Sequence, residues 1–124
     1  MLTGELFDVY NVDIKMADVL GIFEQVVLLS VLKLGKDAYG RAVFRDVQVR
    51  LDRDVAAGAV YATLDRLEEK SLISSRLGAG TVARGGRPRR YYTLENAGLR
   101  ALNESKEAVE RIWLGFRWPL QGRV

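Results

Sequence analysis

Between Lys70 and Leu94 the chain carries six cations, Lys70, Arg76, Arg84, Arg87, Arg89 and Arg90, and no acid. Clustered charge of one sign does one kind of chemistry well: it attracts a polyanion, most often a nucleic acid. A well-solvated basic hairpin is the other reading, and charge alone does not separate the two. The net charge of +3 hides this asymmetry, because Glu5, Asp8, Asp13 and Asp18 face a single Lys15 near the N-terminus. Several kinds of chemistry are excluded by what is missing. With no cysteine and no histidine there is no disulfide, no thiol switch and no Cys/His metal site. A His base and a Cys nucleophile are excluded as well. Glu68 and Glu69 are adjacent carboxylates on a helix surface without catalytic partners. No enzymatic activity, catalytic residue, metal or cofactor is expected.

The elements that must position these cations follow from periodicity. At 124 residues, 48% hydrophobic and 28% charged, the chain has the composition of one packed domain with an appended helix. No apolar run approaches the ~20 residues of a membrane span, and the acidic N-terminus does not resemble a signal peptide. A cytoplasmic protein without membrane contact is expected. Leu20, Phe23, Val27, Val31 and Leu34 recur at helical steps, and Gly35 is placed for a left-handed cap. Val26, Leu28, Leu29 and Leu32 make that helix apolar nearly all round, so it should be buried by its own domain or by a second chain. A second helix fits Tyr39 to Asp52, with Val43 and Val47 inward and Arg41, Arg45 and Arg50 directed elsewhere. A third fits Ala59 to Lys70, with Val60, Leu64 and Leu67 inward and Ala59, Ala62, Thr63, Arg66 and Lys70 outward.

Past Lys70 the period changes. Leu72 to Leu77 and Arg89 to Leu94 read as strands around a loop punctuated by Gly78, Gly80, Gly85, Gly86 and Pro88. A last helix is expected from Glu95 to about Trp118, roughly 36 Å long at 1.5 Å per residue. Its apolar positions Leu99, Leu102, Val109, Trp113 and Phe116 have too little domain of their own to cover. They point to a second subunit. Three helices, a β-hairpin and a last helix give an α+β, mainly α class: a winged helix-turn-helix with a long C-terminal dimerisation helix. The expected division is an arm or short helix over 1–17, the DNA-binding domain over 18–94, the dimerisation helix over 95–118 and a tail over 119–124. The third helix would enter the major groove, and the hairpin, as the wing, would lie on the backbone or in the minor groove.

The run from Gly58 to Ile73, GAVYATLDRLEEKSLI, resembles the recognition-helix signature of PadR-like transcriptional regulators. The run from Arg84 to Leu94, RGGRPRRYYTL, is similar to that family's wing. Ser71 stands where the family commonly has Gly, and Glu95 where it has a capping Thr. The resemblance implies a homodimer, usually a repressor, on double-stranded DNA with a palindromic operator. It also implies the branch with a single C-terminal helix, some members of which bind flat aromatic effectors between subunits beside a tryptophan.

On this reading the DNA-contacting residues are Tyr61, Thr63, Arg66, Lys70, Arg84, Arg87 and Arg89, with Arg84 and Arg87 first because they flank the glycines of the wing tip. Tyr61 has two open readings, a hydroxyl bonded to DNA or a ring wedged beneath the helix. Leu99, Leu102, Val109, Trp113 and Phe116 are the ligand or dimer-interface set, and aromatic spacing alone does not choose between those roles. Ala57, Gly58 and Ala59 offer only apolar contact to thymine methyls, so direct base readout is thin. The alternative function is a protein-interaction adaptor that keeps the winged helix but docks an acidic protein surface.

Overall fold

In the computed structural model, which describes residues 19–80 and 82–122, the helical periods become four helices and one hairpin. The expected arm over 1–17 lies outside the described residues. The first helix, α1 (Ile22–Leu34), stops at Gly35, whose φ of 57° and ψ of −123° fall in the mirror-image β region that glycine enters freely. Glycine ends the helix as expected, but by this conformation and not by a left-handed cap. A 3₁₀ turn, Gly35–Asp37, leads to α2 (Gly40–Leu51). Asp52 then takes a left-handed φ of 52°, which Asp tolerates better than most residues. Val55 N–H donates to Gln48 Oε1 at 3.1 Å and closes the turn into α3 (Ala57–Glu69). This helix begins at Ala57 and not Ala59, since alanine is as good a helix former as any residue.

Helix α3 ends in a Schellman turn, with Leu72 N–H bonded to Leu67 O at 3.0 Å and Ser71 N–H to Glu68 O at 2.9 Å. Ser71 sits at φ 62°, where a glycine would be unstrained and a serine costs about 1–2 kcal/mol. Strand β1 (Ile73–Leu77) pairs antiparallel with β2 (Arg90–Leu94), in register from Ile73↔Leu94 to Leu77↔Arg90. Glu95 does not cap the next helix with its side chain; its carboxylate accepts from the Ser74 hydroxyl at 2.7 Å instead. That helix, α4 (Asn96–Ile112), starts tightly against the turn that follows α3, because a Cβ at Gly98 would lie 2.3 Å from Leu72 O.

Helix α4 is shorter than expected. It stops at Ile112, before Trp118, giving a length of about 26 Å. Gly115, at φ 88°, and a tight Phe116 N–H to Trp113 O bond of 3.1 Å turn the chain out of the helix well before Pro119. Its inward stripe is Gly98, Leu102, Ser105 and Ala108. Leu102 belongs to the chain's own core, and of the expected ligand or dimer-interface set it is the one that is buried in the single chain. Leu99, Val109, Trp113 and Phe116 remain exposed.

The core gathers Val27, Leu28 and Val31 of α1, Val43 and Val47 of α2, Val60, Leu64 and Leu67 of α3, and Ile73 of β1. Each such side chain contributes roughly 1.5–3 kcal/mol on burial. Helix α1 is covered on that side only, since Ile22, Leu29 and Leu32 stay open. Asp46 of α2 ties the two helices by accepting from Arg50 Nε at 2.7 Å and facing Lys33 Nζ at 3.6 Å. Burial alone would raise its pKa, but the Ser30 hydroxyl, Arg50 and Lys33 together hold it below the ordinary value. One further tie sets the wing's angle. Tyr92 N–H donates to Ala38 O at 2.8 Å, and Tyr39 bridges Tyr91, so β2 is pinned to the start of α2.

Candidate nucleic-acid interface

Helix α3 buries Val60, Thr63, Leu64 and Leu67 and exposes Ala57, Gly58, Ala59, Tyr61, Ala62, Asp65, Arg66 and Glu69. Thr63 is thus misplaced among the expected DNA contacts: it is 1% exposed. At 3.6 residues per turn it lies about 60° from Val60, inside the apolar arc. Its hydroxyl accepts from Arg66 Nη2 at 3.0 Å, so it holds the exposed Arg66 against the helix. Lys70 also departs from the expected set. It occupies the far end of α3 from the wing and pairs with Glu24 of α1 at 3.1 Å.

The wing loop is braced by its own arginines. Arg84 donates from Nη2 to Ala79 O at 2.9 Å and from Nε to Arg87 O at 3.3 Å, while Arg87 Nε donates to Arg84 O at 3.1 Å. Gly85 and Gly86, at φ 64° and 79°, form the turn between them, and two successive positive φ values suit glycine. Each guanidinium keeps N–H groups that these bonds do not use. Arg89 lies with its guanidinium 3.9 Å from the centre of the Tyr39 ring. Tyr39 meets Tyr91 edge to face at 5.9 Å, and Arg76 covers Tyr91 at 5.0 Å. Arg90 donates to the Ser75 hydroxyl at 2.9 Å, which donates in turn to Glu68 of α3 at 2.7 Å.

These elements enclose an open cleft of about 490 Å³ between the start of α2, the exposed face of α3 and the wing. Tyr61, Arg84, Arg87 and Arg89, all expected, line it together with Tyr39, Gly40, Arg41 and Arg90. The helical period of α2 turns Arg41 away from the core without assigning it to a site, and Tyr39 carries no local signal. Both arrive because β2 folds back onto the start of α2. Among the described residues no acid lines the cleft. Ion pairs among the described residues join Lys33 and Arg50 to Asp46, Lys70 to Glu24 and Lys106 to Glu110. None of them neutralises a cleft arginine. At the floor, burial and the charge of Asp65 raise the Tyr92 pKa, so its hydroxyl stays neutral. Tyr61 is 39% exposed. Its ring rests beside Gly40, where a Cβ would come within 2.7 Å of Cε1, so ring packing and an accessible hydroxyl coexist.

A second concavity lies on the opposite pair of helices. Ile22, Gln25, Leu29 and Leu32 of α1 and Leu99, Leu102, Lys106 and Val109 of α4 line an apolar groove of about 480 Å³. Trp113 and Phe116 lie beyond its end, where Trp113 meets Trp118 edge to face at 5.7 Å. Among the described residues no group of His, Cys, Asp or Glu is arranged to hold a metal. No helix among them is long and apolar enough to cross a membrane.

A comparison with curated proteins found no match. Solved structures with the same fold include a PadR-like transcription factor from Bacteroides fragilis, 27% identical with a TM-score of 0.61, covering 82% of this chain and 91% of that one. A PadR family transcription regulator from Clostridium difficile is 28% identical with a TM-score of 0.58, covering 75% and 95%. The Aeropyrum pernix ORC1 protein, solved in complex with DNA, shares the fold at 20% identity and a TM-score of 0.58, covering 78% of this chain and 27% of that one. The model of the transcriptional regulator PadR-like family matches residues 28–104, which span the second half of α1, all of α2 and α3, the wing and the first half of α4. The chain belongs to the PadR-like family of transcriptional regulators.

Proposed function

We propose that the chain is a homodimeric repressor that binds a palindromic operator through α3 and the wing. The observation that carries this reading is the convergence of Arg41, Arg84, Arg87, Arg89 and Arg90 on one cleft beside the exposed face of α3, with no carboxylate partner among the described residues. Uncompensated cations around an open cleft suit a polyanion, and a helix is the element that fits the major groove. Arg66 and the first turn of α3 face the bases, while the wing arginines hold the backbone. Ala57, Gly58, Ala59 and Ala62 bring few hydrogen-bonding groups to base edges, so half-site spacing and DNA shape carry much of the specificity. The apolar α1–α4 groove supports the dimer, and a flat aromatic effector between subunits, near Trp113, would alter the separation of the two recognition helices.

Selection of binding sites from a pool of random duplexes tests this reading. The expected result is a two-fold symmetric motif whose half-sites lie about 10 base pairs, or a multiple, apart. A pool that stays unenriched would overturn it and leave an acidic protein partner to be sought.

A further inference from the structure

The wing holds its cations in two ways. Arg84 and Arg87 use guanidinium N–H groups on carbonyls of their own loop, and Arg90 uses one on the Ser75 hydroxyl. Arg89 does neither. It is half-buried, and its guanidinium carbon lies 3.9 Å from the centre of the Tyr39 ring. At that distance the electron-rich ring face holds the cation, a contact that needs none of its five N–H donors. Among the described residues no hydrogen bond or ion pair engages the Arg89 side chain.

Strand pairing explains how Arg89 reaches this ring. The bond from Gly78 N–H to Arg89 O, at 2.7 Å, extends the hairpin by one residue, so Arg89 and Tyr91 share one of its faces. Arg76 stands opposite Tyr91 in the register and covers its ring at 5.0 Å. Gly78 leaves room for that ring, since a Cβ there would fall 2.6 Å from Tyr91 Cε2. Tyr39 packs across the same face, edge to face with Tyr91 at 5.9 Å. The result is a row of two rings with a cation at each end, and the Arg89 end opens into the cleft. The Tyr39 backbone is fixed independently of its ring. Its N–H donates to Asp37 O at 3.0 Å, and the neighbouring Ala38 O accepts from Tyr92 N–H at 2.8 Å.

We infer that Tyr39 is a positioning residue of the DNA interface: its ring holds the Arg89 guanidinium at the cleft with the N–H groups ready for a backbone phosphate. The inference rests on the DNA-binding reading and adds to it a residue that acts through another. An arginine loses rotamer freedom when it meets a phosphate; here the ring imposes that loss on folding and not on binding. The ring matters and the hydroxyl does not.

The test uses the full chain and a duplex enriched from the random pool, titrated at several salt concentrations. Tyr39→Leu is expected to bind about tenfold more weakly in the two-fold complex. Its slope of log affinity against log salt should not change, because no charge is lost. Tyr39→Phe should bind as the wild type does. Arg89→Ala should weaken binding about thirtyfold and lower the slope by about 0.9 per copy. Adding Tyr39→Leu to Arg89→Ala should cost nothing further, which is the signature of action through Arg89. A ring that merely supported the fold would cost its tenfold in either background. A second readout needs no DNA. The Nε–H proton resonance of Arg89, identified by its absence from Arg89→Ala, should lie upfield in the wild type and in Tyr39→Phe. In Tyr39→Leu it should return to the position of the other arginines. Additive losses, a Tyr39→Phe as weak as Tyr39→Leu, or a resonance indifferent to Tyr39→Leu would each overturn the inference. A wild type that binds no duplex while its Arg89 resonance is shifted would instead overturn the DNA-binding reading.

Discussion

Reversing the charge of Arg84 and Arg87 together, as Arg84→Glu with Arg87→Glu, is expected to abolish duplex binding and leave the oligomer intact. In a two-fold complex the pair supplies four phosphate contacts, whose loss at physiological salt costs about a thousandfold in affinity by counterion release, and reversing the charges costs more. The fold should tolerate the change. Both side chains hydrogen-bond only to carbonyl groups of the wing loop itself, far from the core of Val27, Leu64 and Leu67. Arg84 also braces the loop through Ala79 O, so part of its effect passes through wing geometry. The exposed Arg87→Glu alone, which gives up a single side-chain bond to Arg84 O, is expected to show about half of the logarithmic loss. Fluorescence anisotropy reads affinity, and sedimentation reads the oligomer. Wild-type affinity in the double variant would remove the wing from the interface.

The second large effect is expected at the α1–α4 groove. Ile22, Leu29, Leu32, Leu99 and Val109 leave one side of the domain apolar and open, which is more than scattered surface hydrophobics. Leu29→Glu and Val109→Glu each place a carboxylate on that surface. In a two-fold interface the same substitution enters twice, and each buried unpaired charge costs several kcal/mol. Micromolar protein should then sediment as a folded monomer, because Leu29 and Val109 are already 39% and 41% exposed in the single chain. Operator affinity should fall by a factor of about 10² to 10⁴ as the two half-sites are no longer linked. A Leu29→Glu protein that sediments as a dimer would place the interface elsewhere.

Much of this architecture is legible in the sequence because period and punctuation agree. The helical steps from Leu20 to Leu34 and the strand pair around Gly78 to Pro88 both appear as expected. Errors arise where residue type outweighs geometry. Thr63 looks like a polar reader of DNA, yet its angle on α3 puts it beside Val60 and Leu64 in the core. Lys70 has the right charge at the wrong end of the helix, where Glu24 claims it. Pro119 seems the natural stop for α4, but Gly115 acts first. Tyr39 and Arg41 could not be found from local pattern. They join the site only through the bridge from Tyr39 to Tyr91, about fifty residues apart in the chain, and pairing at that distance leaves no periodic trace.

The measurement that bears most directly on DNA recognition is an equilibrium titration of the wild-type protein into a labelled duplex from the region upstream of its own gene. An unrelated duplex of equal length is the control, and both are titrated at two salt concentrations. The expected result is tighter binding to the upstream duplex, weakening steeply with salt as several phosphates are released. Weak and equal binding to both duplexes would contradict sequence-specific regulation and leave the cleft arginines as a generic basic surface.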